Sequence, residues 1–173
     1  DEQCELVALA WIGRGSFTKE EWREALAEAI AARVVAQGGM ALLIDYGGNA
    51  SFMVGDSFQA VRAHRRVDPL VAPGEADLSA HVDFNALARR ALATGARVHG
   101  PIAQGVLLRR LGIDLRLRQL ASRATAEQRA RLEAGRARLV EPDQMGELFQ
   151  AMAFTPPDAP APPGFLVEER RAS

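Results

Sequence analysis

The segment GGMALLIDYGG, residues 38–48, decides the fold of this chain. It contains an uninterrupted apolar run from Met40 to Ile44, which predicts a strand of a parallel sheet with both faces covered by helices. The strand ends at Asp45 and Tyr46, directly before two glycines. Because ligands of open α/β sheets lie beyond the carboxyl ends of the strands, we expect Asp45 and Tyr46 to meet a substrate or a cofactor.

Helical and strand-like patterns alternate on both sides of this segment. Before it, Trp22, Leu26 and Ile30 recur at helical spacing after a capping box formed by Thr18 and Glu21. After it, the sequence predicts a helix at 83–93, a strand at 96–102, helices at 104–111, 114–122 and 125–140, and a strand at 147–154. Asp83 and Asp114 are the predicted N-caps of two of these helices. These patterns predict one α/β domain over residues 1–154 and a flexible proline-rich tail over residues 155–173.

The segment between the first strand and Asp83 is long and has no helical period. Six acidic residues and two histidines lie between Gly38 and Phe84, with a short strand-like alternation at 57–61. A compact domain seldom holds so long a loop unless the loop is functional or disordered. Its aromatic and apolar residues argue against disorder, so we expect this acidic loop to carry chemistry.

Composition excludes several classes of protein. A formal net charge of −1 and a pI near 6.4 give no overall attraction to nucleic acid or to an anionic membrane. No apolar run is long enough to form a transmembrane helix. The single cysteine, Cys4, excludes an internal disulfide and fits a reducing compartment.

Four ordered motifs resemble one known family. They are GGMALLIDYGG, DSFQAVRAHRRVDPLVAPGEADLSAHVDF, GPIAQGVLLRRLGID and PDQMGELFQAMAF, spread over residues 37–154. In order and spacing they resemble the carboxyl-terminal half of the MidA-type methyltransferases, whose mitochondrial members act as complex I assembly factors. The resemblance implies an enzyme that uses S-adenosyl-L-methionine to dimethylate an arginine symmetrically on a quinone-oxidoreductase subunit of complex I.

The same resemblance implies the carboxyl-terminal half of a Rossmann-like, seven-stranded α/β methyltransferase fold. Residues 40–46 would form its fifth strand, and residues 96–102 and 147–154 its antiparallel sixth and seventh strands. Strands one to four would be missing, together with the glycine-rich loop of the cofactor site. Gly13-Arg14-Gly15 is a poor substitute for that loop because no apolar strand of the right length leads into it. The residues that bind the cofactor are therefore left unassigned.

Methylation of arginine gives an acidic loop a chemical purpose. A guanidinium stays protonated at neutral pH and presents its donors in a planar fork. One carboxylate can orient this fork, and another acceptor can receive the proton that the incoming methyl group displaces. The predicted catalytic residues are Glu75, Asp77 and His81. The predicted substrate-binding residues are Asp45, Tyr46 and Asp83.

Each of these residues also has an ordinary structural interpretation. Asp77 and Asp83 can cap helices, and Glu75 or His81 can be solvated or bonded to backbone. Asp45 can accept backbone N–H groups of the following glycine turn. Together these side chains are of types that bind Mg²⁺ or Mn²⁺, but their spacing matches no metal motif, so we predict no metal site.

Two classes of function remain open. The first is the catalytic half of a protein-arginine methyltransferase that needs its amino-terminal half, in a bacterial cytoplasm or a mitochondrial matrix. The second is a non-catalytic module that docks through a leucine-rich face between Leu107 and Leu120. The expected partners are a protein substrate and either a second copy of the chain or the missing amino-terminal half. The basic clusters at 64–66 and 109–110 are interpreted as solvated surface, and a hydrolase is disfavoured because no GxSxG elbow occurs.

Overall fold

The computed structural model describes residues 22–48, 59–63, 65–68, 71 and 74–166. Within them the helices are α1 (Trp22–Gln37), α2 (Phe84–Ala93), α3 (Gln104–Arg110), α4 (Ile113–Ala121) and α5 (Ala126–Val140). The strands are β1 (Ala41–Gly48), β2 (Gln59–Arg62), β3 (Arg65–Val67), β4 (Asp77–Ser79), β5 (Val82–Asp83), β6 (Arg97–Ala103) and β7 (Phe149–Thr155), with a π-helical turn at Pro142–Gly146. The main predicted helices and strands are thereby confirmed. The capping box predicted at Thr18 lies outside the described residues.

The larger sheet has four strands in the order β5-β1-β7-β6. β1 pairs antiparallel with β7, from Ala41 opposite Phe154 to Tyr46 opposite Phe149, and β7 pairs antiparallel with β6. β6 therefore runs parallel to β1. The expectation that both late strands are antiparallel is wrong for residues 96–102, because the chain passes from β1 to β6 through helix α2 rather than through a hairpin.

Helices α1 and α2 cover the first face of this sheet. They pack with β7 in one core cluster made of Ala27, Ala31, Val82, Phe84, Leu87, Ala91, Ala96, Met152 and Phe154. Burial of each large side chain of this kind stabilises the fold by about 1.5–3 kcal/mol. The predicted cap of α2 is confirmed, because Asp83 Oδ1 accepts hydrogen bonds from the backbone N–H groups of Asn85 and Ala86 at 2.9 and 3.1 Å.

The second face is covered over β6 and β7 but not over β1. Helix α3 and Phe165 pack there on Ala151 and Ala153. Leu42 and Ile44 lie opposite those two alanines in the ladder, yet their side chains are 46% and 43% exposed. The prediction that both faces of the first strand are covered is therefore wrong within the described residues, because none of the described elements packs over this half of the face.

Phe165 belongs to the segment predicted to be a flexible tail. The domain boundary at residue 155 stays a prediction, but residues 156–166 pack against the α/β domain. Arg97 Nη1 donates a hydrogen bond to the carbonyl oxygen of Ala159 at 2.8 Å, and Phe165 is buried in the core of the second face. A single aromatic anchor thus attaches a stretch whose proline content suggested mobility.

The N-terminus of α4 differs from its predicted form. The cap residue is Gly112, in a left-handed conformation with φ 88°, and Asp114 makes no capping hydrogen bond. Its carboxylate instead accepts a hydrogen bond from Arg136 Nε of α5 at 2.8 Å. This hydrogen bond is the main reason why the pKa of Arg136 is raised above its ordinary value. The capping box of Thr125 and Gln128 at the start of α5 is confirmed.

Gln104 joins the start of α3 to the end of α5 and supplies a test of this packing. Its buried amide Nε2 donates to the carbonyl oxygen of Leu139 at 2.9 Å. We expect Gln104→Met to lower the free energy of unfolding by about 1–2 kcal/mol, since the Leu139 carbonyl loses its partner. Urea unfolding measures this loss. The matched control is Gln119→Met, at an exposed position of α4, which should change stability by less than about 0.5 kcal/mol. Equal effects of the two variants would contradict the assigned role of Gln104.

Candidate functional site at the carboxyl end of β1

A close backbone contact brings two predicted segments to the carboxyl end of β1. β5 pairs parallel with β1 through Gly47 opposite Val82 and Gly48 opposite Asp83. A Cβ on Gly47 would lie 2.7 Å from Val82 N and closer still to the Val82 carbonyl oxygen, so only glycine fits without a shift. Residues 45–46 and 81–83 therefore lie at the same end of the sheet, where ligands of α/β folds are found.

Three rings meet at this strand end, and we call them the ring cluster: Tyr46, His81 and Phe149. The ring centroid of Tyr46 lies 5.4 Å from that of Phe149, edge to face at 84°, and 6.3 Å from that of His81, at 63°. All three side chains are partly buried. Sequence analysis predicted Tyr46 and His81 but missed Phe149. The antiparallel register that sets Phe149 opposite Tyr46 has no signal in a single sequence.

Two predicted carboxylates flank the ring cluster along the chain, and each already makes a backbone contact. Asp45 Oδ1 accepts a hydrogen bond from the backbone N–H of Tyr46 at 2.8 Å, rather than from the glycine turn. Asp83 uses Oδ1 for both of its capping hydrogen bonds to α2. The capping interpretation of Asp83 is thus confirmed, whereas the expected contact of Asp45 with the glycine turn is replaced by one with Tyr46. Substrate binding by these two residues stays a prediction. Each carboxylate would bind the substrate through its second oxygen, Oδ2.

Asp77 belongs to a separate small sheet, and Glu75 lies in the bend just before its strand β4. β2 pairs antiparallel with β3 and with β4, so the acidic loop forms a three-stranded sheet of order β3-β2-β4. The Glu75 side chain is 69% exposed and accepts a hydrogen bond from Arg62 Nη1 at 3.0 Å. Asp77 lies at the start of β4, exposed and opposite Val61. The structure therefore brings His81 to the strand end with Tyr46, whereas Glu75 and Asp77 lie on the neighbouring small sheet.

A cleft of about 620 Å³ runs along the free edge of β1 between α1 and α2. Its walls are mainly aliphatic and aromatic, with Arg23 and Asp45 as its charged residues, and the full lining is Arg23, Leu26, Ala27, Ile30, Leu42, Leu43, Ile44, Asp45, Val82, Phe84 and Leu87. Arg23 Nη1 also donates to the carbonyl oxygen of Ala80 at 3.3 Å. Because an unpaired strand edge forms its floor, the cleft suits a further strand better than a polar ligand.

Metal binding and membrane insertion find no support among the described residues. No group of three or more His, Cys, Asp or Glu side chains there is arranged to hold a metal ion. None of the described helices is long and apolar enough to cross a bilayer. The side chains at the strand end comprise carboxylates, an imidazole and aromatic rings.

Residues 15–102 match a family described as "Putative S-adenosyl-L-methionine-dependent methyltransferase". The matched region holds β1, the small sheet, the ring-cluster residues Tyr46 and His81, and most of β6.

Curated relatives cover more of the chain. It is 40% identical over 129 residues to the Drosophila melanogaster "Protein arginine methyltransferase NDUFAF7 homolog, mitochondrial", a match that covers 73% of this chain and 29% of the relative. It is 38% identical over 130 residues to the Homo sapiens protein arginine methyltransferase NDUFAF7, mitochondrial, covering 75% of this chain and 29% of the relative. The chain thus spans about three tenths of the length of the curated relatives it matches.

Two solved structures from Burkholderia thailandensis have a similar fold. One is 25% identical, with a TM-score of 0.73, and the match covers 83% of this chain and 39% of that one. The other, a protein bound to S-adenosyl-homocysteine, is 24% identical, with a TM-score of 0.70, over 84% of this chain and 39% of that one. The α/β fold proposed from the sequence, that of part of a methyltransferase, is confirmed by these similarities.

Gly47 offers a test of the contact that assembles this site. We expect Gly47→Ala to lower the free energy of unfolding by about 1–3 kcal/mol, because the new methyl group overlaps the backbone of Val82. The matched control is Gly135→Ala in α5, where a Cβ meets nothing within 4 Å. That variant should raise stability by about 0.5–1 kcal/mol, since alanine is the better helix former. Chemical unfolding of the two variants measures both effects, and a neutral Gly47→Ala would mean that β5 does not pack closely on β1.

Proposed function

Because this chain belongs to the S-adenosyl-L-methionine-dependent methyltransferase family, we propose that it carries the substrate side of a protein-arginine methyltransferase site. The observation that supports the proposal most directly is the strand end itself. There the acidic residues Asp45 and Asp83 flank the ring cluster at the carboxyl end of β1. Arginine is proposed as the substrate because the relatives are named protein arginine methyltransferases.

The reaction joins a methyl carbon to a guanidinium nitrogen and breaks the bond between that carbon and a sulfonium sulfur. S-adenosyl-L-methionine supplies the electrophilic methyl group when it is bound. The chain's own residues would hold the guanidinium fork and accept the proton that the nitrogen loses. Asp45, Tyr46 and Asp83 are the proposed substrate-binding residues, and Glu75, Asp77 and His81 the proposed catalytic residues. Alignment of two bound reactants can contribute about 7–11 kcal/mol to the lowering of the barrier.

The described residues do not fit S-adenosyl-L-methionine on their own. A cofactor of this type needs a glycine-rich turn that allows close backbone approach and polar groups for its ribose hydroxyls. The cleft beside β1 offers apolar walls and a bare strand edge instead. We therefore propose that the cofactor binds mainly to sequence that the longer relatives have beyond their match with this chain.

The substrate protein and the cell compartment follow from the same resemblance. We propose a quinone-oxidoreductase subunit of complex I as the methylated protein, and hence a role in complex I assembly. The eukaryotic relatives are named mitochondrial, which supports a mitochondrial matrix location if the chain is eukaryotic. A bacterial chain would act in the cytoplasm.

A second candidate function is a docking module. The observation that favours it is a set of three exposed leucines on and beside α4, with exposed fractions of 51% for Leu111, 53% for Leu115 and 40% for Leu120. None of the residues of α4 is buried, so this helix offers its apolar side to a partner. Sedimentation of the chain at several concentrations discriminates here. A monomer at every concentration would argue against self-association through this face.

Binding of S-adenosyl-L-methionine tests the main proposal. The product of the complete gene should bind the cofactor in isothermal titration, because the family is one of S-adenosyl-L-methionine-dependent methyltransferases. S-adenosylhomocysteine should compete for that site. If the complete product binds neither compound, the proposed function fails.

Substitutions in the acidic loop test the catalytic roles. We expect Glu75→Gln and Asp77→Asn each to lower kcat for methylation of an arginine peptide by about 10²-fold or more, as loss of a general base does. The matched control is Glu127→Gln on α5, which removes an exposed helical ion pair with Arg131 and should leave kcat unchanged. Folding of each variant is checked by thermal melting. Normal kcat in both loop variants would remove these acids from the mechanism.

A further inference from the structure

We infer that the ring cluster is the recognition site for the cationic side chain, in which the guanidinium lies against the rings of Tyr46 and Phe149 and the aliphatic stem lies along Ile44. This inference rests on the proposed function for the identity of the side chain. It assigns a role to Phe149 and Ile44 that the acidic-loop residues do not supply.

The position of the rings carries the first step. Tyr46 lies near the carboxyl end of β1, and its partner in the antiparallel ladder, Phe149, is the first residue of β7. Both rings therefore lie at the same end of the sheet. Their edge-to-face arrangement, with centroids 5.4 Å apart, leaves a ring face of one beside the ring edge of the other. Both side chains are only partly buried, so part of the ring surface can be reached by a ligand.

The charge around the rings carries the second step. Gly48 lies on the same side of β1 as Tyr46, and its pairing partner Asp83 is thereby held on that side, whereas Asp45 points to the opposite side. Asp83 makes both of its backbone hydrogen bonds through Oδ1. Aromatic faces attract cations, and carboxylates do the same, so the two groups favour the same ligand. A planar guanidinium binds an aromatic ring better than an ammonium does, because it can stack on the ring face in addition to its electrostatic attraction to the ring.

The exposed apolar face of β1 carries the third step. Ile44 is two residues before Tyr46 and therefore projects from the same side of the strand. Its side chain is 43% exposed, directly beside the ring cluster along the strand. An arginine side chain has an apolar stem of three methylene groups behind a charged head, and such stems lie along apolar surface while the head reaches polar groups. Ile44 and the ring cluster supply these two surfaces in that order.

The single tyrosine of the chain makes this inference directly testable. With ¹³C-labelled tyrosine, every tyrosine ring signal in an NMR spectrum belongs to Tyr46. Titration with N-acetyl-arginine methylamide should shift these signals in a saturable way. The neutral isostere N-acetyl-citrulline methylamide should not shift them. Equal shifts with both compounds, or no shift with the arginine compound, would overturn the inference.

Two variants separate the ring cluster from general effects on the fold. Phe149→Leu should weaken the binding of the arginine compound about two- to fivefold, the range for loss of one exposed cation–π contact. The matched control is Leu148→Ala at the preceding, exposed position, which should leave binding unchanged. Undiminished binding in Phe149→Leu would also overturn the inference. This titration contains no cofactor. A negative result would therefore overturn arginine recognition by the ring cluster, whereas a negative cofactor titration would overturn the proposed methyltransferase function.

Discussion

The antiparallel ladder between β1 and β7 is the interaction on which the rest of the structure depends. Its six residue pairs run from Ala41 opposite Phe154 to Tyr46 opposite Phe149. This register sends Leu43 and Met152 to the face that α1 and α2 cover, and Ile44 and Ala151 to the other face. A shift by one residue would exchange the two faces and expose the main core, so burial fixes the register strongly. The same register sets Phe149 against Tyr46, and thus the core determines the composition of the candidate site.

The other determinant of the site is a contact without side chains. Gly47 lets the backbone of Val82 approach β1 closely, and the chain then enters α2 through the cap at Asp83. The acidic loop forms the separate three-stranded sheet, and the pairing of β5 with β1 then places the end of the loop beside the carboxyl end of β1. His81 reaches Tyr46 through this return, whereas Glu75 pairs with Arg62 on the small sheet. Of the proposed catalytic residues, His81 would thus act at the strand end beside the proposed substrate-binding residues, whereas Glu75 and Asp77 would act from the small sheet.

Much of this architecture could be predicted from the sequence, and the remainder had no local signal. The apolar run at 40–44 predicted β1, and short-range chemistry predicted the caps at Asp83 and Thr125. Asp114 failed as a cap because Arg136, distant in sequence, competes for its carboxylate. The direction of β6, the packing of Phe165 and the partner of Tyr46 all depend on long-range pairing. Four ordered motifs identified the family, since several motifs in fixed order are far more specific than any one of them.

The central claim is that β1 is an inner strand of a larger methyltransferase sheet, with the functional site at its carboxyl end. The edge of β1 at 41–45 has no partner strand among the described residues, and this edge and the apolar cleft along it are the structural reasons for this claim. A crystal structure of the complete gene product with S-adenosylhomocysteine tests it most directly. The account predicts a further strand hydrogen-bonded along the edge at 41–45, and the homocysteine sulfur facing the end of β1 where Tyr46 lies. A solvent-exposed edge, or a sulfur at the opposite end of the sheet, would contradict it.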